Sequence, residues 1–126
     1  MKKELSIILP IFNERDSLPI MVRLLNSSIK FPKEIIIVYD SEQDNAINVA
    51  QSLVKEFDNI KLVHNKIEKG VRHAVEAGVQ NAKYEIILIT AVDEIFPIVA
   101  VDKMISHFIQ NDLDFVSGTR YAKGGI

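Results

Sequence analysis

The chain has 126 residues, 15 lysines and arginines, 17 aspartates and glutamates, and a formal net charge of -2. That length suits one domain with its own core, and 48% hydrophobic with 25% charged residues excludes a disordered segment. The charge balance excludes the basic excess of a generic nucleic-acid binder. The absence of cysteine excludes disulfides, thiolate metal sites and a cysteine nucleophile.

In chain order, β-rich runs occupy residues 5–9, 34–38, 60–63, 84–89 and 113–116. They are dense in isoleucine, valine and leucine, and three are apolar on nearly every residue. Such runs suit strands covered on both faces. None approaches the ~18 apolar residues of a membrane span. Pro10 and the polar group Asn13-Glu14-Arg15-Asp16 end the first run too soon for a secretory core. Cytoplasmic residence is expected.

Helical stripes lie between the strands. Leu18, Val22, Leu25 and Ile29 form the first. Ile47, Ala50, Leu53, Val54 and Phe57 form the second, with Asp44 as its expected N-cap. Val71, Ala74, Val75, Gly78 and Val79 form the third, just after Gly70. Ile98, Val101, Met104, Ile105 and Phe108 form the fourth, with Pro97 in its first turn. Strict alternation predicts one α/β domain over residues 1–126. It is a three-layer α/β/α, Rossmann-like fold with a mostly parallel sheet. Ligands of such sheets bind beyond the carboxyl ends of the strands.

Three of those ends carry acids: Asn13-Glu14, Asp40 to Asp44, and Asp93-Glu94. Two carry cations with glycine: Lys69-Gly70, and Arg120 to Gly125. Carboxylates accept hydrogen bonds from ribose and base, or hold a divalent cation. Cations and helix N-termini suit phosphate oxygens. The combination predicts a nucleotide-type site. His64, His73 and His107 are not spaced as a metal cluster and read as structural or exposed. The serines have no nucleophile-elbow context.

Residues 6–14, 34–44, Lys69-Gly70, 87–97 and 117–121, taken in series, resemble the family 2 glycosyltransferases with a GT-A fold. The polyprenol-phosphate mannose or glucose synthase branch is the most similar in pattern. The resemblance implies that Pro10, Phe12 and Glu14 line the nucleotide pocket, with Phe12 where tyrosine is commoner. It implies that Asp40 contacts nucleobase or ribose, with Tyr39 in place of the pair's first acid. Asp44 matches the acid of the following turn, where Asn45 replaces a glycine; its competing reading is the helix cap. Glu14 has a rival as a first-turn acid of the first helix. Lys69 and Gly70 match the loop near the diphosphate, and Arg120 a loop near the acceptor phosphate.

Asp93 matches the last acid of the Asp-x-Asp metal motif. The motif's first acid is Ala91 here, and Ile95 stands two positions beyond the motif. Glu94 is a substitute ligand. The implied cofactor is therefore Mg²⁺ or Mn²⁺, held weakly through Asp93. The implied reaction moves a sugar, with inversion, from a nucleotide-diphospho-sugar to a polyprenol phosphate or a saccharide. Asp93 and Arg120 serve it, in the cytoplasm or at the inner face of a membrane.

Family members normally continue beyond the region that ends here at Ile126. The expectation is the N-terminal nucleotide-binding part of a GT-A domain. Its open sheet edge would favour a homodimer. The alternatives are a catalytically inactive nucleotide-sugar-binding module and an unrelated receiver-like domain. The receiver-like reading leaves Asn13-Glu14 and Arg120-Tyr121 without a role.

Overall fold

A computed structural model describes residues 4–92 and 101–110. Four strands and four helices alternate: β1 (Leu5–Pro10), α1 (Leu18–Ser28), β2 (Lys33–Tyr39), α2 (Ile47–Glu56), β3 (Ile60–His64), α3 (Val71–Gln80), β4 (Ile86–Ile89) and α4 (Val101–Gln110). The strands form one parallel sheet in the order β3-β2-β1-β4. The expected fifth strand at residues 113–116, and Pro97 and Ile98 of the fourth stripe, lie outside the described residues.

The central strands β1 and β2 explain their own composition. Leu5, Ile7, Leu9, Ile35 and Ile37 enter a core shared with α1, α2 and α4. Ile8, Ile36 and Val38 enter a smaller one under α3. Both faces exclude water, so both strands are apolar along residues 7–9 and 35–38, with the polar residues Ser6, Lys33 and Glu34 confined to their starts. Each fully buried leucine or isoleucine contributes about 1.5–3 kcal/mol. The split of helices follows from the strand order. The chain moves outward from β1 to β3, then crosses back to β4, and a right-handed crossover then places α3 on the opposite face. The three-layer expectation is met.

Gly78 lets α3 approach the sheet. A Cβ there would lie 2.5 Å from Ile8 Cγ2. At the opposite end of the strands from the acidic loops, buried Glu34 accepts from Ser6 Oγ and Lys83 N, both at 2.6 Å, and pairs with Lys61 at 3.2 Å. Ser6 Oγ in turn accepts from Tyr84 N at 3.1 Å. This cluster corrects one strand boundary. Residues 84 and 85 were expected in the fourth strand, yet β4 begins at Ile86. The N–H groups of Lys83 and Tyr84 go to side chains instead of to a neighbouring strand.

Candidate functional site

A cavity of about 950 Å³ opens at the carboxyl ends of β1, β2 and β4, against the start of α3. Its place is where the reversal of strand order leaves a crevice. Pro10, Phe12, Glu14, Asp40, Lys69 and Gly70 all line it, together with Asp44 and Ala91. Six expected site residues are thus brought together. Asp93, Glu94 and Arg120 lie outside the described residues.

The β1 end is shaped by Asn13, whose φ of 52° is left-handed. Asparagine tolerates that conformation better than most residues. The turn leaves the Phe12 ring 75% exposed at the cavity. Glu14 lies before α1, which carries no acid in its first turn, so its reading as a first-turn acid is corrected. Its Oε1 accepts from Phe12 N at 2.9 Å, closing the loop on itself.

The β1 and β2 loops are clamped to one another. Asn13 N donates to Asp44 Oδ2 and Asn45 N to Asn13 Oδ1, both at 3.0 Å, and Arg15 N donates to Asn45 Oδ1 at 3.2 Å. Asp44 Oδ1 accepts from Ala46 N at 2.8 Å. Asp44 therefore turns the chain into α2, whose cap position is Ala46. The helix itself starts at Ile47, later than the N-cap reading placed it, yet the Asp44 carboxylate makes the bond of a cap, to the N–H two positions on, and also serves the facing loop. Asn45, noted from the sequence as a lost glycine, supplies two bonds of the clamp.

Asp40 is held on both oxygens. Oδ1 accepts from Asn65 Nδ2 at 2.7 Å, and Oδ2 from Gly70 N at 2.9 Å. Gly70 adopts φ 122°, a conformation that glycine supplies without a Cβ penalty. The His64 ring donates through Nε2 to Asp40 O at 3.0 Å and stacks on Tyr39, with centroids 4.7 Å apart. Tyr39, standing where the pair's first acid was expected, is packed against the α1 and α2 side of the core. The sequence reading gave no role to Asn65, yet it is buried beside Asp40.

Three carboxylates, Glu14, Asp40 and Asp44, and one ammonium, Lys69, thus line the described cavity. Carboxylates prefer hydroxyl and N–H donors and repel phosphate, so a bound nucleotide would direct its sugar and base toward them. No group of three or more histidine, aspartate or glutamate side chains among the described residues could hold a metal ion. The described set alone does not fit a metal centre. No described helix is long and apolar enough to cross a membrane.

The profile of glycosyl transferase family 2 matches residues 6–125. The chain belongs to this family. Over 123 residues it is 29% identical to the dolichol-phosphate mannosyltransferase of Pyrococcus furiosus, covering 97% of this chain and 34% of that protein. Its identity to the enzyme of the same name from Saccharomyces cerevisiae is 28%, over 98% of this chain and 47% of that protein. The chain thus spans a third to a half of the length of these curated relatives. A mannosyltransferase from Pyrobaculum calidifontis, solved with GDP-Man and Mn²⁺, superposes with a TM-score of 0.73 at 18% identity. That match covers 86% of this chain and 33% of the other. Staphylococcus aureus TarS superposes with a TM-score of 0.66 at 20% identity, over 88% of this chain and 33% of its own. The likeness establishes for this family 2 chain the GT-A fold expected from its sequence.

Proposed function

We propose that this chain is the donor-binding part of an inverting glycosyltransferase that takes a nucleoside-diphospho-sugar and serves a polyprenol-phosphate acceptor at a cytoplasmic membrane face. The observation that carries the reading is the single cavity that gathers Phe12, Glu14, Asp40, Lys69 and Gly70 at the strand ends. Phe12 offers an exposed π-face on which a base can stack. Asp40 and Glu14 accept from base N–H and ribose hydroxyls. Lys69 faces the diphosphate.

In the transfer, an acceptor oxygen forms a bond to the anomeric carbon from the side opposite the diphosphate. The bond from that carbon to the diphosphate oxygen breaks, and its electron pair leaves on the nucleoside diphosphate. Negative charge grows on the leaving group, and cations aimed at it lower the barrier. Lys69 and Arg120 are assigned that part. A phosphate acceptor arrives ionised and needs no general base. A divalent ion held through Asp93 belongs to the same proposal and would supply further charge. The named relatives and the GDP-Man complex of the Pyrobaculum protein support the choice of donor and acceptor class.

Ala91, a cavity residue where the metal motif has its first acid, favours a second reading: a module that binds the donor without transferring it. Thermal unfolding separates these readings from no binding at all. GDP-, UDP- and dTDP-sugars are added with and without Mn²⁺. A ligand at a hundred times its dissociation constant stabilises by about 2.7 kcal/mol. At least one donor is expected to raise the midpoint, and the Asp40→Ala protein to lose most of that rise. No rise with any donor would overturn both readings, and binding without sugar transfer would select the second.

A further inference from the structure

We infer that Asn65 is a positioning residue for this site, setting the Asp40 carboxylate and, through it, the Lys69–Gly70 loop; the part of this that concerns nucleotide rests on the reading above. Asn65 is 5% exposed and ends no helix or strand, so a polar side chain there requires an explanation. Its backbone N donates to Tyr39 O at 2.8 Å. Its Nδ2 donates to Asp40 Oδ1 and to Glu68 O, each at 2.7 Å, and its Oδ1 accepts from Ile67 N at 3.0 Å.

The orientation of the amide is fixed by these partners. Turned over, it would set its oxygen against a carboxylate and a carbonyl and its NH₂ against an N–H. One side chain thereby ties the end of β2 to the whole segment that leads from β3 into α3. Asp40 completes the tie through Gly70 N. Lys69, in the cavity wall, sits between the two anchored points at residues 68 and 70.

A spacer that merely filled volume would tolerate any side chain of like shape. A positioning donor would not, and Asn65→Asp makes the distinction. It keeps the shape and the acceptor for Ile67 N but replaces the NH₂ donor with an oxygen facing Asp40 and Glu68 O. The charged and titratable groups around that point are Asp40, His64, the loop residues Lys66, Glu68 and Lys69, and, through Glu68, His73. Acid returns a donor as an O–H on one of the two facing carboxyls, and Asn65→Ala cannot regain one.

The test has two arms. Amide hydrogen exchange by NMR needs no ligand. In the parent protein the Gly70 amide is expected to be protected, and in Asn65→Ala to exchange at least ~10-fold faster, with Ile8 and Ile36 unchanged. An unprotected Gly70 amide in the parent, or equal rates in the two proteins, would overturn the inference even if neither variant folded well enough for binding work. The second arm is GDP and UDP affinity by calorimetry. Both variants should bind ~10-fold or more weakly than the parent at pH 8. At pH 5 the ratio to the parent should recover for Asn65→Asp alone. Parallel ratios for the two variants at both pH values would overturn a positioning role. A parent that binds neither nucleotide would count against the proposed function, while the exchange arm still decides the role of Asn65.

Discussion

Asn13 combines two demands that one residue rarely meets together. Its backbone sits at φ 52°, and its side chain and N–H both join the clamp to the β2 loop. Alanine at this position would lose the Oδ1 acceptor and carry the left-handed strain, at about 1–2 kcal/mol for the strain and ~1 kcal/mol for the bond. Glycine would lose only the bond. Urea unfolding of Asn13→Ala and Asn13→Gly should therefore give midpoints in the order parent, glycine, alanine, at an unchanged slope. Equal midpoints for the two variants would show that the turn carries no strain. Asparagine before glutamate after a strand was visible in the sequence as a site signal. Its partner Asn45 was not, because a bond across 32 positions leaves no local pattern. Asn65 stayed hidden for a related reason: its donors and acceptors meet groups from two loops, and spacing along the chain does not report them.

The elements themselves were legible, because burial writes itself into composition. β1 and β2 carry apolar residues on both faces, and the first three helical stripes fall within a residue of the observed helices, while the fourth is described from Val101 to Gln110. What periodicity missed were places where side chains take over backbone partners. The start of β4 is one, set by Glu34 and Ser6. The turn into α2 is another, set by Asp44. Helix α3 has a further requirement that propensity misjudges. Gly78→Ala would gain ~1 kcal/mol of helix propensity. It would also drive a methyl group to 2.5 Å from Ile8 Cγ2, in a strand with no room to yield, at about 1–3 kcal/mol. The clash wins, so thermal unfolding should show a net loss of stability of ~1 kcal/mol. A raised midpoint would mean that α3 can lift off the sheet.

For the whole molecule, the Glu34 cluster joins β1, β2, β3 and the α3–β4 turn at the end away from the cavity. Burial raises the tendency of its carboxyl to hold a proton. The Ser6 hydroxyl, the Lys83 N–H and the Lys61 ammonium together outweigh that, and the group titrates below its ordinary value. A carboxyl depressed in the folded state stabilises above its unfolded value, near 4.3 for glutamate, and that contribution is lost as pH falls further through the folded value. The parent should therefore lose stability on acidification below about pH 4.3 more steeply than Glu34→Gln. At pH 7 Glu34→Gln should be less stable by about 1–3 kcal/mol, since an amide now faces a lysine and a backbone N–H. Identical acid limbs would remove Glu34 from the account. Because the cluster lies at the far end of the sheet, the change should leave ligand affinity at neutral pH intact.

In the proposed function, the acidic strand ends and the Lys69–Gly70 loop form one nucleotide site. The backbone amides of the parent chain, followed by NMR during titration with GDP and with UDP, each with diamagnetic Mg²⁺ present, decide it. Saturable shifts are expected at Phe12, Asn13, Asp40, Ser41, Lys69 and Gly70, with the amides of Ser6, Ala82 and Lys83 unmoved. Saturable shifts centred on those distant amides, or no shifts with either nucleotide, would contradict it.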